Sequence, residues 1–146
     1  MQRHDPLQLE HFLPYRLSIL SNRVSASIAR EYQQQFELSM TEWRVMAVLA
    51  RFDGEGLSAR EVAQRTEMDK VQVSRALARL VEAGRVQRDV HGNDKRRSVL
   101  ALSASGWAIH DIVAPLARAQ ERALLRRLDS TEVATLTRIL DKLAPV

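Results

Sequence analysis

The segment LSAREVAQRTEMDKVQVSRALARLVEAGRVQRDVHGNDKRRSVLALS, residues 57 to 103, contains the signals that decide the fold. A capping box S-x-x-E begins at Ser58 and predicts a short helix, and D-x-x-Q at Asp69 predicts the start of a second helix. Gly84 stands where a helix commonly ends in a left-handed residue. Beyond it, apolar and polar residues alternate on both sides of HGNDKR, which predicts two strands joined by a hairpin.

Further helices are predicted on both sides of this segment, because apolar residues recur there at helical spacing. They cover residues 7 to 36, with a kink or restart at Pro14, residues 41 to 52, capped by Ser39 or Thr41, and residues 104 to 128 and 131 to 143. The middle of the chain therefore has the element order of a winged helix-turn-helix. We predict a mainly α fold in one domain over residues 1 to 146, with a winged helix-turn-helix lobe at 38–103 and dimerisation helices at 7–36 and 104–146.

The net charge of +4 is concentrated in the winged segment. Residues 60 to 97 hold ten cationic and six anionic side chains, whereas the rest of the 146-residue chain is balanced at twelve of each. Arginine greatly outnumbers lysine, and its planar guanidinium suits contacts with phosphates and base edges. A localised cationic surface of this kind favours nucleic acid as a partner.

The helix predicted over residues 70 to 83 has two distinct faces. Helical periodicity assigns one sector to the core, with Val73, Leu77, Leu80 and Val81. The opposite sector carries the polar residues Gln72, Ser74, Arg75 and Arg79. In a major groove, arginine can bond guanine bidentately and glutamine can pair with adenine, so this sector is a candidate for reading DNA. A solvated helix face without a partner would show the same pattern.

The predicted hairpin tip carries four charged residues in a row, Asp94, Lys95, Arg96 and Arg97. A cation at such a tip can enter a narrow minor groove, where the negative potential of DNA is strongest. Asp94 would not contact DNA itself but would hold a neighbouring guanidinium through a bidentate pair. The alternative is a solvated turn whose charges serve solubility.

A family resemblance rests on four stretches of the chain: MTEWRVMAVLARF, LSAREVAQRTEMDKVQVSRALARLVEAGRVQRDV, the wing element DKRR, and LSASGW after it. Over about residues 38 to 106 the chain resembles the multiple-antibiotic-resistance regulator (MarR) family. The resemblance implies a homodimeric bacterial transcription regulator, usually a repressor, that binds a pseudo-palindromic operator through a recognition helix and a wing.

The resemblance also implies roles for individual residues. It places Gln72, Ser74, Arg75 and Arg79 at major-groove or backbone positions, Arg96 at the minor groove, and Asp94 as its brace. The wing tip departs from the family pattern, because it reads HGNDK where a proline before the aspartate and an arginine after it are common.

The flanking helices predict a homodimer. They offer more apolar surface than a winged lobe of this size can cover, and exposed apolar stripes usually mark association. Twofold symmetry would place two recognition helices about one DNA turn apart and so predicts an inverted-repeat site in double-stranded DNA. A monomer that folds these helices back onto itself is the alternative.

A small-molecule effector is predicted on the first helix. The chain has no cysteine, which excludes a thiol-based redox sensor. The family resemblance implies a small aromatic carboxylate or an acyl-CoA thioester as effector. Arg16 stands among apolar residues as a carboxylate partner, with Tyr15 and Trp43 as aromatic walls and Arg23 and Asn22 as weaker candidates. An Arg16 that is salt-bridged on a dimer surface is equally compatible.

Other functional classes have less support in the sequence. The four histidines have no metal-binding spacing, and neither a phosphate loop nor G-x-S-x-G occurs, so we expect no enzyme, no cofactor and no metal. The N-terminus lacks a secretory pattern and no long apolar run occurs, so we expect a cytoplasmic protein without a membrane partner. A non-specific architectural DNA protein is the alternative function, although such proteins tend to carry more charge than +4.

Overall fold

The computed structural model describes residues 3–90 and 98–144, and most of these residues are helical. This part of the chain contains six α-helices and two strands: α1 (Leu13–Phe36), α2 (Met40–Arg51), α3 (Ala59–Thr66), α4 (Lys70–Glu82), β1 (Val86–Val90), β2 (Ser98–Leu102), α5 (Ala104–Leu125) and α6 (Ser130–Leu143). The predicted order of elements and the mainly α fold class with a two-stranded wing are confirmed.

The first long helix begins later than predicted. Leu9–His11 form a separate turn of 3-10 helix, Phe12 is extended, and α1 begins at Leu13. Pro14 lies in the first turn of α1, where its missing N–H is not needed and its fixed φ suits a helix. The proline therefore restarts the helix, and the predicted start at residue 7 is wrong.

Side-chain caps begin the helices of the winged lobe. Ser39 is the cap of α2, and its Oγ accepts a hydrogen bond from the backbone N–H of Glu42 at 3.1 Å. Ser58 Oγ and Asp69 Oδ2 accept in the same way from the third residues of α3 and α4, at 3.2 and 3.3 Å. These bonds satisfy N–H groups that have no partner inside the helix, so each helix starts where the sequence places a cap.

The hydrophobic core lies between α2, α3, α4 and the strands. The C-terminal half of α1 adds Ala29 and Tyr32 to it, and the first three turns of α5 add Ile109 and Val113. The other buried apolar residues are Leu38, Val45, Met46, Leu49, Leu57, Val62, Ala63, Val73, Ala76, Leu77, Leu80, Val86, Leu100 and Leu102. Each of the two long helices is therefore anchored in the winged lobe at one end.

The strands β1 and β2 form an antiparallel hairpin directly after α4. Val86 pairs with Leu102, and the pairing continues to Val90 and Ser98. The N–H of Leu100 also donates to the carbonyl of Leu57 at 2.9 Å, which ties the hairpin to the start of α3. The predicted tip at residues 91–97 lies outside the described residues.

The N-terminal half of α1 and the whole of α6 carry apolar side chains that their own chain leaves uncovered. Leu13, Leu17 and Leu20 are 44–52% exposed. The helix α6 is described throughout and has no buried residue, and its exposed apolar residues are Leu136, Ile139, Leu140 and Leu143. None of the described helices is long and apolar enough to cross a membrane.

Candidate nucleic-acid interface

The helix α4 presents a polar face to solvent. Gln72, Ser74, Arg75 and Arg79 are all exposed, as their spacing predicts. The opposite face is held in the core by Val73, Ala76, Leu77 and Leu80, which are 1–2% exposed, while Val81 is only partly buried. Because four buried side chains fix the rotation of α4 about its axis, the polar face cannot turn inward. The division of the helix into two faces is confirmed, and contact with DNA stays a prediction.

Arg79, a member of this face, forms an ion pair with a residue of α2. Its Nη1 atom lies 3.9 Å from Oε1 of Glu42, near the start of α2. The side chain of Glu42 is 9% exposed, whereas that of Arg79 is 67% exposed. The guanidinium therefore lies within ion-pair distance of a buried carboxylate and remains accessible from outside.

A cleft between α3 and α4 adds two cations that the sequence did not single out as site residues. It has a volume of about 280 Å³ and is lined by Arg60, Lys70 and Ser74 together with Ala59, Ala63 and Val73. Arg60 and Lys70 lie in the first turns of α3 and α4, and both are exposed. The caps at Ser58 and Asp69 locate these turns in the sequence, but only the packing of α3 against α4 brings them to one cleft.

The charged wing tip is not part of the described structure. Asp94, Lys95, Arg96 and Arg97 lie in the segment 91–97, so their predicted roles stay predictions. The strands that lead to this segment are formed and paired, and they follow α4 directly.

Three of the five predicted effector residues share one groove, which neither Trp43 nor Asn22 lines. Tyr15, Arg16 and Arg23 line a groove of about 470 Å³ together with Leu13, Leu17, Ile19 and Leu20. All of these residues belong to α1, so the groove is open on its other side. A guanidinium and a phenol on an otherwise apolar surface suit an anion with an aromatic body.

Trp43 is not part of this groove, which corrects the prediction that it walls the site at Arg16. Its ring stacks on His110 at a centroid distance of 5.8 Å and packs against Tyr32 at 5.9 Å. Tyr32, which Trp43 contacts, lies roughly 25 Å along the axis of α1 from Tyr15, which lines the groove. The helix α2 folds back onto the C-terminal half of α1, so Trp43 joins the core of the winged lobe instead.

The aromatic cluster around Trp43 joins α1, α2 and α5. Trp107 meets His110 edge to face at 5.3 Å, and His110 Nδ1 lies 3.2 Å from Asp111 Oδ1. Burial raises the pKa of Tyr32, and the nearby charge of Arg44 opposes that shift only in part. The phenol of Tyr32 is therefore neutral at physiological pH, and the cluster serves as packing between the winged lobe and the long helices.

A second groove runs between α1 and α5. It has a volume of about 400 Å³, and Arg23 and Leu20 line it as well as the first groove. Ser27 Oγ donates to Oε1 of Gln120 at 3.0 Å, and Arg127 is among the remaining lining residues, with Val24, Ala123 and Leu124. Arg23 therefore stands where the two grooves meet.

Comparison with known proteins finds that this chain is similar to transcription regulators. A model of the MarR family matches residues 36–97, the segment that contains α2, α3, α4 and β1. A MarR/EmrR family transcriptional regulator from Acinetobacter sp. ADP1 is 26% identical, with a TM-score of 0.82 over 94% of this chain and 95% of that chain. MarR from E. coli in its apo form is 26% identical, with a TM-score of 0.69 over 98% of this chain and 100% of that chain.

One similar structure contains DNA. A complex of S. aureus MepR with DNA has a TM-score of 0.83 at 20% identity, over 90% of this chain and 96% of that chain. At this identity the likeness concerns the fold alone. No curated protein matches the chain significantly by sequence.

Proposed function

We propose that the chain is a ligand-responsive homodimeric repressor of the MarR family that binds an inverted-repeat operator. The match of residues 36–97 to the model of that family and the similarity to solved regulators at 26% identity support DNA binding and transcription regulation. The observation that carries the proposal is the outer face of α4, where four polar side chains stand exposed on a helix whose other face is buried. Since such a regulator works on the bacterial chromosome, we place it in the cytoplasm.

We expect α4 to enter the major groove. Gln72, Ser74 and Arg75 lie in its N-terminal half, which is the part of a recognition helix that usually reaches base edges. Arg75 and Gln72 would then specify sequence, because their side chains can form paired hydrogen bonds with guanine and adenine. Arg79 lies one turn further along, and we expect it to bond the DNA backbone.

Contacts with phosphates would orient the protein on the duplex. Arg60 and Lys70 bring two positive charges to one cleft beside α4, and a phosphate between them would neutralise both. The wing would reach the adjacent minor groove through Lys95, Arg96 and Arg97, with Asp94 as a brace.

The exposed apolar faces of α1 and α6 support a homodimer. Within one chain, seven large apolar residues of these faces are exposed to water: Leu13, Leu17, Leu20, Leu136, Ile139, Leu140 and Leu143. A second copy would cover both faces about a twofold axis. Two copies of α4 would then lie roughly 34 Å apart and meet half-sites in opposite orientation.

The groove at Tyr15, Arg16 and Arg23 supports an anionic aromatic effector. A carboxylate would bond the guanidinium of Arg16, and the leucines of the groove would cover the ring. A thioester of coenzyme A would place further negative charge near Arg23. The effector can release DNA only if it binds better to a dimer geometry that fits the operator poorly.

The experiment begins with selection of bound duplexes from a random pool. We expect an inverted repeat with half-sites one helical turn apart, and a dimer by light scattering. The selected duplex and a scrambled duplex of equal length are then titrated at several salt concentrations. Equal affinity for both would contradict the proposal and favour an architectural DNA protein. Aromatic acids and their CoA thioesters are finally tested for release of the selected duplex.

A further inference from the structure

We propose that Glu42 is a positioning residue for DNA binding, because its buried carboxylate holds the guanidinium of Arg79 on the outer face of α4. Glu42 belongs to α2, whereas the DNA-reading side chains belong to α4. The proposal rests on the expected contact between Arg79 and the DNA backbone. It assigns to Glu42 a role in the affinity for DNA, although its own side chain is buried and would not touch DNA.

The two oxygens of the Glu42 carboxylate have different partners. Oε2 accepts a hydrogen bond from the backbone N–H of Ser39 at 3.4 Å, which completes the capping box of α2. Oε1 lies 3.9 Å from Nη1 of Arg79. One carboxylate therefore connects the start of α2 to the third turn of α4.

The cap does not explain why this buried residue is charged. A capping box accepts glutamine as well as glutamate at its third position, because either side chain offers an oxygen to the N–H group. A carboxylate that is only 9% exposed is costly unless an opposite charge compensates it. The N-terminal end of the α2 dipole and the guanidinium of Arg79 both compensate the charge, so the glutamate serves the cap and the ion pair together.

The geometry of Arg79 leaves it able to bind a phosphate. Its contact with Glu42 involves Nη1 only, and 67% of its side chain is exposed. A flexible arginine loses rotamer freedom when it binds DNA, whereas one that is already held loses less. Arg75, one turn earlier on the same face, forms no ion pair with another described residue and provides an internal comparison.

The charge of Glu42 and its positioning of Arg79 have opposite effects on the affinity for DNA. A carboxylate near the DNA surface repels phosphates, so its neutralisation would by itself strengthen binding. Loss of the hold on Arg79 would weaken binding. A fall in affinity after Glu42→Gln therefore identifies positioning, and a rise identifies simple repulsion.

The test is a double-mutant cycle in the full-length protein, with the selected duplex as probe. Glu42→Gln keeps an oxygen for the cap, and we expect it to weaken binding about three- to tenfold, the range for ordering one long side chain. The same substitution in an Arg79→Ala background should cause no further loss, and the removal of repulsion alone can only raise the affinity there. In an Arg75→Ala background, Glu42→Gln should still cause the full loss of DNA affinity.

Ser39→Ala is the matched control, because it removes the other half of the cap and leaves Oε1 of Glu42 and Arg79 in place.

Thermal melting distinguishes a loss of protein stability from a loss of DNA affinity that is caused by the position of Arg79. Ser39→Ala should lower the melting temperature with little change in DNA affinity, whereas Glu42→Gln should change affinity. If Glu42→Gln does not fold, Glu42→Asp is the second variant, since it keeps the charge, draws it away from Arg79 and should also weaken binding.

Three results would overturn the proposal. They are a rise or no change in affinity after Glu42→Gln, an equal loss in the Arg79→Ala background, and a similar loss for Ser39→Ala. If Arg79→Ala alone leaves affinity unchanged, the expected backbone contact of Arg79 is wrong as well, although the selected duplex would still bind through the rest of the proposed interface.

Discussion

Gly106 shows how a single missing side chain permits the approach of α5 to the winged lobe. A Cβ atom at this position would collide with the backbone carbonyl oxygen of Arg85, which precedes β1. The same carbonyl accepts a hydrogen bond from the N–H of Ser103 at 3.0 Å, so it cannot move away without breaking that bond. Glycine is therefore required by close packing here.

We predict that Gly106→Ala lowers the free energy of unfolding by about 1 to 3 kcal/mol, the usual cost of overpacking. In an unobstructed helix the same substitution would stabilise the protein by up to about 1 kcal/mol, so the sign alone is informative. Urea unfolding followed by circular dichroism measures the free energy of unfolding of both proteins. A variant as stable as the wild type would mean that α5 can shift outward at no cost.

Substitutions of Arg75 and Arg60 should distinguish a contact with base edges from a contact with phosphates. We expect Arg75→Ala to cost about 1 to 3 kcal/mol on the selected duplex and less on a scrambled one, because base-edge contacts carry the specificity. Arg60→Ala should weaken binding to both duplexes equally and reduce the slope of log affinity against log salt by about 1. Salt titrations on the two duplexes measure both effects. Equal losses for Arg75→Ala would make it a phosphate contact instead.

The turn between α4 and β1 is the element where the winged lobe meets both long helices. Ser103 Oγ and Ser105 Oγ donate to the carbonyl of Gly84, at 2.5 and 2.9 Å. Arg85 Nη2 donates to the carbonyl of Phe36, the last residue of α1, at 2.7 Å. The end of α4 is thus bonded to the end of α1 and to the start of α5, so a rotation of either long helix would move α4.

The pairing of β1 with β2 predicts that the wing keeps its fold when one of its charged side chains is replaced. We expect Arg96→Ala to weaken operator binding by about 1 to 3 kcal/mol, as for an exposed groove contact. Melting temperature and dimer mass should stay at their wild-type values, since the described pairing joins Val86–Val90 to Ser98–Leu102. Unchanged affinity at matched salt would remove Arg96 from the interface.

The whole molecule combines a compact winged lobe with helices whose apolar faces are unpaired. The groove of Tyr15 and Arg16 lies on the part of α1 that extends beyond the core, next to the exposed leucines. An effector that binds there would act on the arrangement of two copies and not on α4 directly. This position suits a ligand that changes the spacing of the two DNA-binding helices.

We therefore predict that Arg16→Ala raises the effector concentration needed for release about tenfold or more, because a charge-assisted bond is worth about 1.5 to 3 kcal/mol. Operator binding without effector should not change, since linkage acts only through the ligand. The measurement is release of the selected duplex by aromatic acids and CoA thioesters, with both proteins side by side. Loss of the dimer, or an unchanged response, would make Arg16 a structural residue.

The sequence by itself determined the elements, their order and the outward face of α4. Caps at Ser58 and Asp69, the stop at Gly84 and the apolar spacing act within one or two helical turns, so they can be recognised without knowledge of the rest of the chain. The groove residues Tyr15, Arg16 and Arg23 were found in the same way, since they lie on one helix.

Only the tertiary structure decided which distant residues meet. It placed Trp43 against Tyr32 and His110, brought Arg60 and Lys70 to one cleft, and put Glu42 within ion-pair distance of Arg79. These contacts depend on the angles at which helices cross, and those angles are set by the packing of many buried side chains together. No local sequence pattern predicts these contacts, which is why the sequence predicted the exposed polar face of α4 but not the carboxylate beneath it.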